Sequence, residues 1–350
     1  MTTKTFPMPK GADQVQELMA SQLADFRTKR AAAEARGIDL IAERISRYLT
    51  RWKEALVYVN EGEKILDLGV GWMPPQIFEM LIKERGHNYH AFDVDRSSIQ
   101  HLVDLGITAG LPASNFKTGE VSCLPFDGKF SLVFSSHCLE HAVDIVGTLA
   151  EIRRVLKDGG VLFMSVPLGF DDSDEHLLFH GPGEWIAMLT AAGFEVLAHT
   201  IGTIYTASAD LTILARHRDA APADPATSRG IAERFSKAGR TLLRSNHESL
   251  TYPNGASAGG GAQAIMQGVG SRMEATLQVS PRALVVTRHP WSGMLRISDG
   301  TSHTMIDCYH TTTHQYGVDL TGFKPDFEVE LIGRNPLSKG FECVVAGVLI

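Results

Sequence analysis

Residues 64–71, KILDLGVG, constrain the fold of this chain more than any other feature. Apolar residues surround the acid Asp67, the run ends at Gly69 and Gly71, and a proline pair follows at 74–75. The pattern predicts a buried strand, a glycine turn that lets the backbone approach a ligand closely, and a helix beginning at the prolines. Such a unit is typical of parallel sheets with a ligand at the strand ends.

The acid two residues before the first glycine indicates which ligand the turn accepts. A carboxylate at the strand end repels a pyrophosphate and attracts the cationic amino-acid group of a ligand. The dinucleotide fingerprint also requires a third glycine three positions after the second, where this chain has Pro74. Both features argue against NAD and favour S-adenosylmethionine as the cofactor.

Predicted strands and helices alternate between residues 61 and 217. This alternation predicts an α/β fold with a doubly wound, mostly parallel sheet covered by helices on both faces. Before it, residues 1–60 are predicted to contain helices that pack on this core. Their apolar residues recur at steps of three and four, at Val15, Leu18, Met19, Phe26, Ile41, Ile45, Tyr48, Trp52 and Leu56.

The chain changes character after residue 217. Residues 218–230 are rich in Ala, Pro and Asp, which predicts a linker. Residues 231–350 contain short alternating strands separated by turn residues, which predicts an all-β, jelly-roll-like sandwich. We therefore expect residues 61–217 to form a domain of their own, and residues 1–217 to fold without the sandwich.

Composition limits the partners and the compartment. The formal net charge is −7 and the pI is near 6.1, so a nucleic-acid partner is not expected. No apolar run approaches the length of a membrane span or a signal core. The four cysteines show no CxxC pair, which favours reduced thiols. These features predict a cytoplasmic protein, and leave homo-oligomerisation open.

Candidate site residues follow the predicted strands, because open parallel sheets bind ligands beyond the carboxyl ends of their strands. Strand by strand they are Asp67, Gly69 and Gly71; Asp93 and Asp95; Glu120 and Val121; and Ser136 and His137. An acid after the second strand can bond both ribose hydroxyls, and one after the third can accept a hydrogen bond from the adenine amine. The fourth group faces the reacting end of the ligand.

Four segments resemble the class I S-adenosylmethionine-dependent methyltransferases in order and spacing: ILDLGVG, FDVDRSSI, GEVSCLPFDGKFSLVFSSHCLEH and EIRRVLKDGGVLFMSVP. The resemblance covers residues 61–217 and implies that S-adenosyl-L-methionine is converted to S-adenosyl-L-homocysteine. It implies contacts to the methionine portion from Asp67, Gly69 and Gly71, to ribose from Asp95, to adenine from Glu120 and Val121, and near the sulfonium from Ser136. The family often has a further glycine where this chain has Met73.

The last third of the chain has a resemblance of its own. The segments WSGMLRISDG and GFKPDFEVELIGRNPLSKGFECVVAGVLI resemble β-jelly-roll modules appended to carbohydrate-active enzymes. The resemblance implies a saccharide or glycan acceptor. Trp291, Tyr309 and Tyr316 are candidates for stacking on sugar rings, although aromatic residues on sandwich strands also fill cores.

Two histidines are candidates for the catalytic base, because imidazole accepts a proton near neutral pH. His137 follows Ser136, and His176 lies in the acidic segment 170–185 after the fifth strand. We favour His137, since strand ends hold a group more firmly than loops. With Asp171, Asp172 and Asp174, His176 also offers donors for a divalent ion, but a flexible acidic loop is the commoner explanation, so no metal is predicted.

The sequence therefore predicts an enzyme that methylates a hydroxyl of a saccharide or glycan by in-line transfer. Two alternatives stay open. In the first, the acceptor is a non-carbohydrate metabolite and the sandwich serves only for oligomerisation. The chain is a binding module that holds the cofactor without turnover in the second.

Overall fold

The computed structural model describes residues 2–8, 40–71, 73–205, 208–219, 221, 223–254, 256–258 and 263–350, with isolated positions between 13 and 36. Strand β1 (Thr3–Thr5) precedes helix α1 (Leu40–Leu56). The predicted helical positions Val15, Leu18, Met19 and Phe26 lie outside the described residues. Across the part of the chain that is described, no helix combines the length and the apolar character needed to cross a membrane.

Sheet I is the seven-stranded sheet of the α/β region. Its strands are β2 (Ile65–Leu68), β3 (Tyr89–Asp93), β4 (Phe116–Thr118), β5 (Phe130–Ser136), β6 (Leu156–Pro167), β7 (Phe194–Tyr205) and β8 (Ser208–His217). They lie in the order β4-β3-β2-β5-β6-β8-β7, and only β8 runs antiparallel to its neighbours. The predicted doubly wound, mostly parallel sheet is confirmed.

Helices cover both faces of sheet I. They are α2 (Pro75–Arg85), α3 (Arg96–Thr108), α4 (Ile145–Val155) and α5 (Pro182–Ala191), with 3₁₀ turns at Gly86–Asn88, Ala113–Asn115 and Leu139–His141. Side chains alternate along β5, where Leu132 and Phe134 enter one apolar cluster and Val133 enters the other. Burial of sheet I on both faces explains why its strands are nearly continuous apolar runs.

Two antiparallel sheets follow. Their strands are β9 (Thr241–Arg244), β10 (Leu250–Asn254), β11 (Ala256–Ala258), β12 (Ala264–Gln267), β13 (Arg272–Thr276), β14 (Ala283–Arg288), β15 (Gly293–Ser298), β16 (His303–Asp307), β17 (His314–Asp319), β18 (Asp326–Arg334) and β19 (Glu342–Leu349). Sheet II contains β1, β9, β19, β12, β11, β14 and β17, and sheet III runs β10-β13-β18-β15-β16. One apolar cluster takes residues from both sheets, which confirms a β-sandwich.

Sheet II is buried on both faces, because its apolar residues face two different cores. On β14, Leu284 and Val286 enter the sandwich core, whereas Ala283 and Val285 join the core of the α/β region. Strand β1 pairs antiparallel with β9, so residues 3–5 belong to this sheet. One face of sheet II therefore packs against the α/β region, and its other face lines the sandwich core.

The segment predicted as a linker is partly folded. Helix α6 (Pro225–Arg234) begins inside it, and the Asp224 carboxylate caps the helix by accepting hydrogen bonds from the amides of Ala226 and Thr227. Ile231 is buried, and α6 packs against α5. The two parts of the chain are thus joined by a packed helix rather than by an extended tether.

Candidate functional site

A cleft opens at the carboxyl end of sheet I and has a volume of about 490 Å³, including its open mouth. Its walls come from the segments after β2, β3, β4 and β5. The lining residues are Gly69, Asp93, Val94, Glu120, Val121, His137, Cys138, His141, Ala142 and Val143.

The predicted site residues divide into two groups. Gly69, Asp93, Glu120, Val121 and His137 line the cleft, which brings four strand ends together as the sequence indicated. Asp67, Gly71, Asp95, Ser136 and His176 lie outside the residues that line it.

The glycine turn after β2 is packed closely against the end of β5. Gly69 has a φ of 74°, and a Cβ there would lie 2.3 Å from both Cβ and Sγ of Cys138. Gly71 has a φ of 55°, and its amide donates to the Asp93 carboxylate at 2.7 Å. Met73 is 1% exposed, and its sulfur accepts a hydrogen bond from the Tyr89 hydroxyl. Met73 is therefore a core residue rather than part of the cleft wall.

Three acids near the turn have different surroundings. Asp67 is fully buried and accepts a hydrogen bond from the Tyr89 hydroxyl at 3.0 Å, and burial raises the pKa of Asp67 well above its usual value. Asp93 lines the cleft. Burial raises the pKa of Asp93 to about 6, although the amides of Asp95 and Gly71 donate to its carboxylate.

Asp95 serves the helix that follows it. Its carboxylate accepts hydrogen bonds from the amides and hydroxyls of Ser97 and Ser98 at the beginning of α3. This is an N-cap, and the Asp-Arg-Ser-Ser sequence is its local signal. Of the two acids after β3, Asp93 rather than Asp95 faces the cleft.

A buried charge network positions His137. It is the only non-glycine residue with a positive φ, 55°, in the described part of the chain. Its Nε2 lies 3.3 Å from Oδ2 of Asp210, which is 1% exposed. The same Asp210 oxygen accepts a hydrogen bond from Arg51 at 3.0 Å, and Arg51 donates to the Ser136 hydroxyl at 2.6 Å. Ser136 therefore helps to hold this network together.

Arg51 and Asp210 were not predicted as site residues. Arg51 is on α1 and Asp210 is near the start of β8, which runs antiparallel to β6. Neither position follows a parallel strand. The expectation that site residues lie beyond the carboxyl ends of such strands therefore does not identify them. The available signal was a charged residue directly before the apolar run Leu-Thr-Ile-Leu-Ala at 211–215.

The acidic segment after β6 is anchored rather than free in solvent. Lys237, which is 1% exposed, donates to the carboxylate and carbonyl of Asp171 and to the Ser173 carbonyl. Asp171 also bonds Nδ1 of His176. Burial alone would raise the pKa of Asp171, but His176 and Lys237 lower it far below its usual value. Arg244 pairs with Asp172 at 2.7 Å.

His141 and Glu140 lie beside His176. The His141 and His176 ring centroids are 4.8 Å apart, and burial lowers the pKa of His141. Glu140 is 1% exposed, and neither oxygen of its carboxylate has a hydrogen-bond partner in the part of the chain that the structure describes. Neither Glu140 nor His141 was among the candidate site residues of the sequence analysis.

Comparison with known families identifies the α/β region. Residues 20–216 match the family model Methyltransf_23, described as a methyltransferase domain. The match covers more than half of the chain, so the chain belongs to this family. The α/β region is thus a class I methyltransferase domain, and its cofactor is S-adenosylmethionine, as the sequence predicted.

Curated relatives match over shorter stretches. An uncharacterized 37.1 kDa protein of transposon TN4556 from Streptomyces fradiae is 35% identical over 109 residues, 30% of each chain. Sterol 24-C-methyltransferase ERG6B of Gibberella zeae is 25% identical over 45% of this chain and 47% of its own. Trans-aconitate 2-methyltransferase of Azoarcus sp. is 27% identical over 39% of this chain and 52% of its own. The chain thus spans about half or less of these relatives.

Solved structures share parts of the fold. The 1,6-didemethyltoxoflavin-N1-methyltransferase of Burkholderia thailandensis, crystallised with S-adenosylhomocysteine, is 20% identical over 58% of this chain and 90% of that chain, with a TM-score of 0.41. The [4+2]-cyclase SpnF is 18% identical over 61% of this chain and 99% of that chain, with a TM-score of 0.46.

Proposed function

We propose that the chain transfers a methyl group from S-adenosylmethionine to a hydroxyl group of a small-molecule acceptor, and that this acceptor is a saccharide. One observation carries the chemical part of the proposal. His137 lines the cleft, and its Nε2 faces the buried Asp210 carboxylate at 3.3 Å. A histidine oriented by a buried carboxylate is the usual arrangement of a general base.

The residues of the cleft fit the cofactor. Gly69 lets the backbone approach it without a side chain, and Asp93 supplies a carboxylate for the ribose hydroxyls in place of Asp95. Glu120 and Val121 provide an acid and an apolar wall for adenine. Asp67 and Gly71 support the turn from outside the wall. When bound, S-adenosylmethionine supplies a methyl group on a positively charged sulfur.

The protein's own task is to align the acceptor and remove its proton. Asp210 orients the His137 ring through Nε2, and we assign Nδ1 as the nitrogen that takes the hydroxyl proton. Arg51 holds Asp210 in place by donating to the same carboxylate oxygen. His176 bonds Asp171 and lies behind His141, so we keep His137 as the base and give His176 a different role below.

The appended sandwich supports a saccharide as the acceptor. Trp291 is 48% exposed on its surface, with Lys339 Nζ 5.3 Å from the ring centroid. An exposed aromatic ring offers a flat apolar face against which we place the sugar ring of the acceptor. Tyr316 instead donates to Glu184 of α5 at 3.2 Å, so it belongs to the contact between the two parts of the chain.

The test is a mass-spectrometric screen with S-adenosylmethionine, saccharides and hydroxylated metabolites without a sugar. We expect a methyl mass gain on a saccharide, loss of turnover in His137→Asn, and a raised KM in Trp291→Ala. Methylation of non-carbohydrate compounds alone would overturn the saccharide assignment. Cofactor binding without transfer to any acceptor would instead favour a non-catalytic binding module.

A further inference from the structure

Three side chains beside the cleft have no role in the methyl transfer described above. They are Glu140, His141 and His176, and one potential ligand atom from each lies within 4.8 Å of the other two. Two ligands bound to one ion at about 2.1 Å are at most about 4.2 Å apart, so slight side-chain rotation would bring all three into range. We propose that these residues bind a divalent transition-metal ion such as Zn²⁺.

The Glu140 carboxylate is the strongest indication. It is 1% exposed, and among the described residues neither of its oxygens has a hydrogen-bond partner. Its Oε1 lies 3.6 Å from His137 Nδ1 and 3.8 Å from His141 Nε2, beyond hydrogen-bonding distance. A carboxylate buried without hydrogen-bond partners is costly, and native proteins retain one where a cation or a donor satisfies it. A metal ion among the three side chains would do so.

Both histidines present the correct nitrogen. His141 Nδ1 lies 2.8 Å from the Glu175 carbonyl, which can only accept, so Nδ1 carries the hydrogen and Nε2 has a lone pair. His176 Nδ1 bonds the Asp171 carboxylate, which leaves Nε2 as its ligand atom in the same way. Histidines that bind metals are normally backed by a carbonyl or a carboxylate on the other nitrogen.

The backbone fixes the two segments that meet here. The amides of Leu177 and Leu178 donate to the Glu140 carbonyl at 2.8 and 3.2 Å, and Lys237 anchors Asp171 from the side of the sandwich. The donor set is therefore held in place without an ion. Two imidazole nitrogens and one carboxylate suit Zn²⁺ and similar metals better than Mg²⁺ or Ca²⁺, which prefer oxygen ligands.

The ion would have a place in the chemistry. Three protein ligands leave a coordination position open, and His141 is part of the cleft wall. A hydroxyl bound at that position would have a lowered pKa, which eases its deprotonation. This role rests on the proposed methyl transfer, whereas binding of the ion does not.

The experiment measures binding without any acceptor or turnover, so its failure is separate from failure of the proposed function. The full chain is treated with a chelator, dialysed, and titrated with Zn²⁺ by calorimetry, and Co²⁺ replaces Zn²⁺ for absorption spectroscopy. We expect one ion per chain, a Co²⁺ spectrum typical of nitrogen and oxygen ligands, and a higher melting temperature with Zn²⁺.

Glu140→Gln and His176→Gln preserve side-chain size or polarity while removing a ligand, and each should weaken Zn²⁺ binding by at least about 100-fold. His303→Ala removes an exposed histidine of β16 and should bind as the unaltered chain does. Circular dichroism confirms folding of each variant. The proposal is overturned if the unaltered chain binds no Zn²⁺, or if folded Glu140→Gln and His176→Gln both bind it with unchanged affinity.

Discussion

His137 and Asp210 face each other across the end of sheet I, with 3.3 Å between Nε2 and Oδ2, although 73 positions separate them in the chain. His137 follows β5, and Asp210 is on β8, which lies two strands away in sheet I. The antiparallel pairing of β8 with β6 places Asp210 opposite Pro167, at the edge where the parallel strands end. The reversed strand thus brings a carboxylate to the cleft end of the sheet.

His137→Asn should lower kcat by about 10²- to 10⁴-fold and change cofactor affinity by no more than about twofold, because it removes a base and leaves the rest of the cleft intact. Asparagine tolerates the positive φ of this position better than most residues. Steady-state kinetics and calorimetry measure the two effects. If His176→Asn alone gives this profile, the base is on the segment after β6.

Asp93 and Asp95 offer a matched pair of substitutions. Asp93→Asn should weaken cofactor binding by about 1.5–3 kcal/mol, since a charge-assisted hydrogen bond is lost. Asp95→Asn should leave cofactor affinity nearly unchanged, because asparagine also caps helices well. Calorimetry on both variants decides between them, and the opposite ranking would return the ribose contact to Asp95.

Cofactor affinity should depend on pH through Asp93. Burial raises the pKa of Asp93 to about 6, so the folded chain holds this proton more tightly than the unfolded chain does. The contribution of the group to stability is therefore full below about pH 4 and is lost as the pH rises through 6. Affinity should move the other way and rise between pH 5 and 7, since the ionised carboxylate accepts the ribose hydrogen bonds. Titrations of the unaltered chain and Asp93→Asn test this, and equal slopes would contradict it.

Gly69→Ala should destabilise the chain more than Gly71→Ala. Both positions have a positive φ, which costs an L-residue about 1–2 kcal/mol. Only at Gly69 would the new Cβ also overlap Cys138, at 2.3 Å, whereas no described residue other than the chain neighbours lies within 4 Å of a Cβ at Gly71. Thermal unfolding measures the difference. Equal melting temperatures would show that the turn moves away from β5 without cost.

Residues 1–217 should not fold well without the sandwich, in contrast to what the linker composition suggested. Phe170 and Phe179 join the core that contains Val285 and Leu349 of sheet II, and each would lose about 1.5–3 kcal/mol of burial. We expect the fragment to aggregate or to unfold without cooperativity, as judged by size-exclusion chromatography and calorimetry. A fragment with the melting temperature of the full chain would restore the division at 217.

The sequence predicted the parts of the site that depend on local order. Gly69, Glu120, Val121 and His137 line the cleft because each follows a parallel strand, and the carboxyl ends of such strands meet at one edge. Asp95 shows the limit of that rule. Two acids separated by one residue look alike in a sequence, and the backbone determines which faces the ligand and which caps the helix.

Contacts between segments that are far apart in the chain could not be predicted from the sequence. Arg51 comes from α1, and Glu140 meets His176 only because the segment after β6 folds back onto the turn at Leu139–His141. The acidic segment was expected to be a flexible loop, because the two residues that anchor it, Lys237 and Arg244, are far from it in the chain. Its pairing partners lie more than 60 positions away.

The position of β19 has a consequence for synthesis of the chain. This strand follows every other described strand, yet it pairs with β9, β12 and β14 in the middle of sheet II. Sheet II covers an apolar face of the methyltransferase domain, so that face stays uncovered until the ribosome has made residues 342–349. Until residues 342–349 are made, the domain would therefore exist as an intermediate with an exposed apolar face, which makes it prone to aggregation and a target for chaperones at that stage.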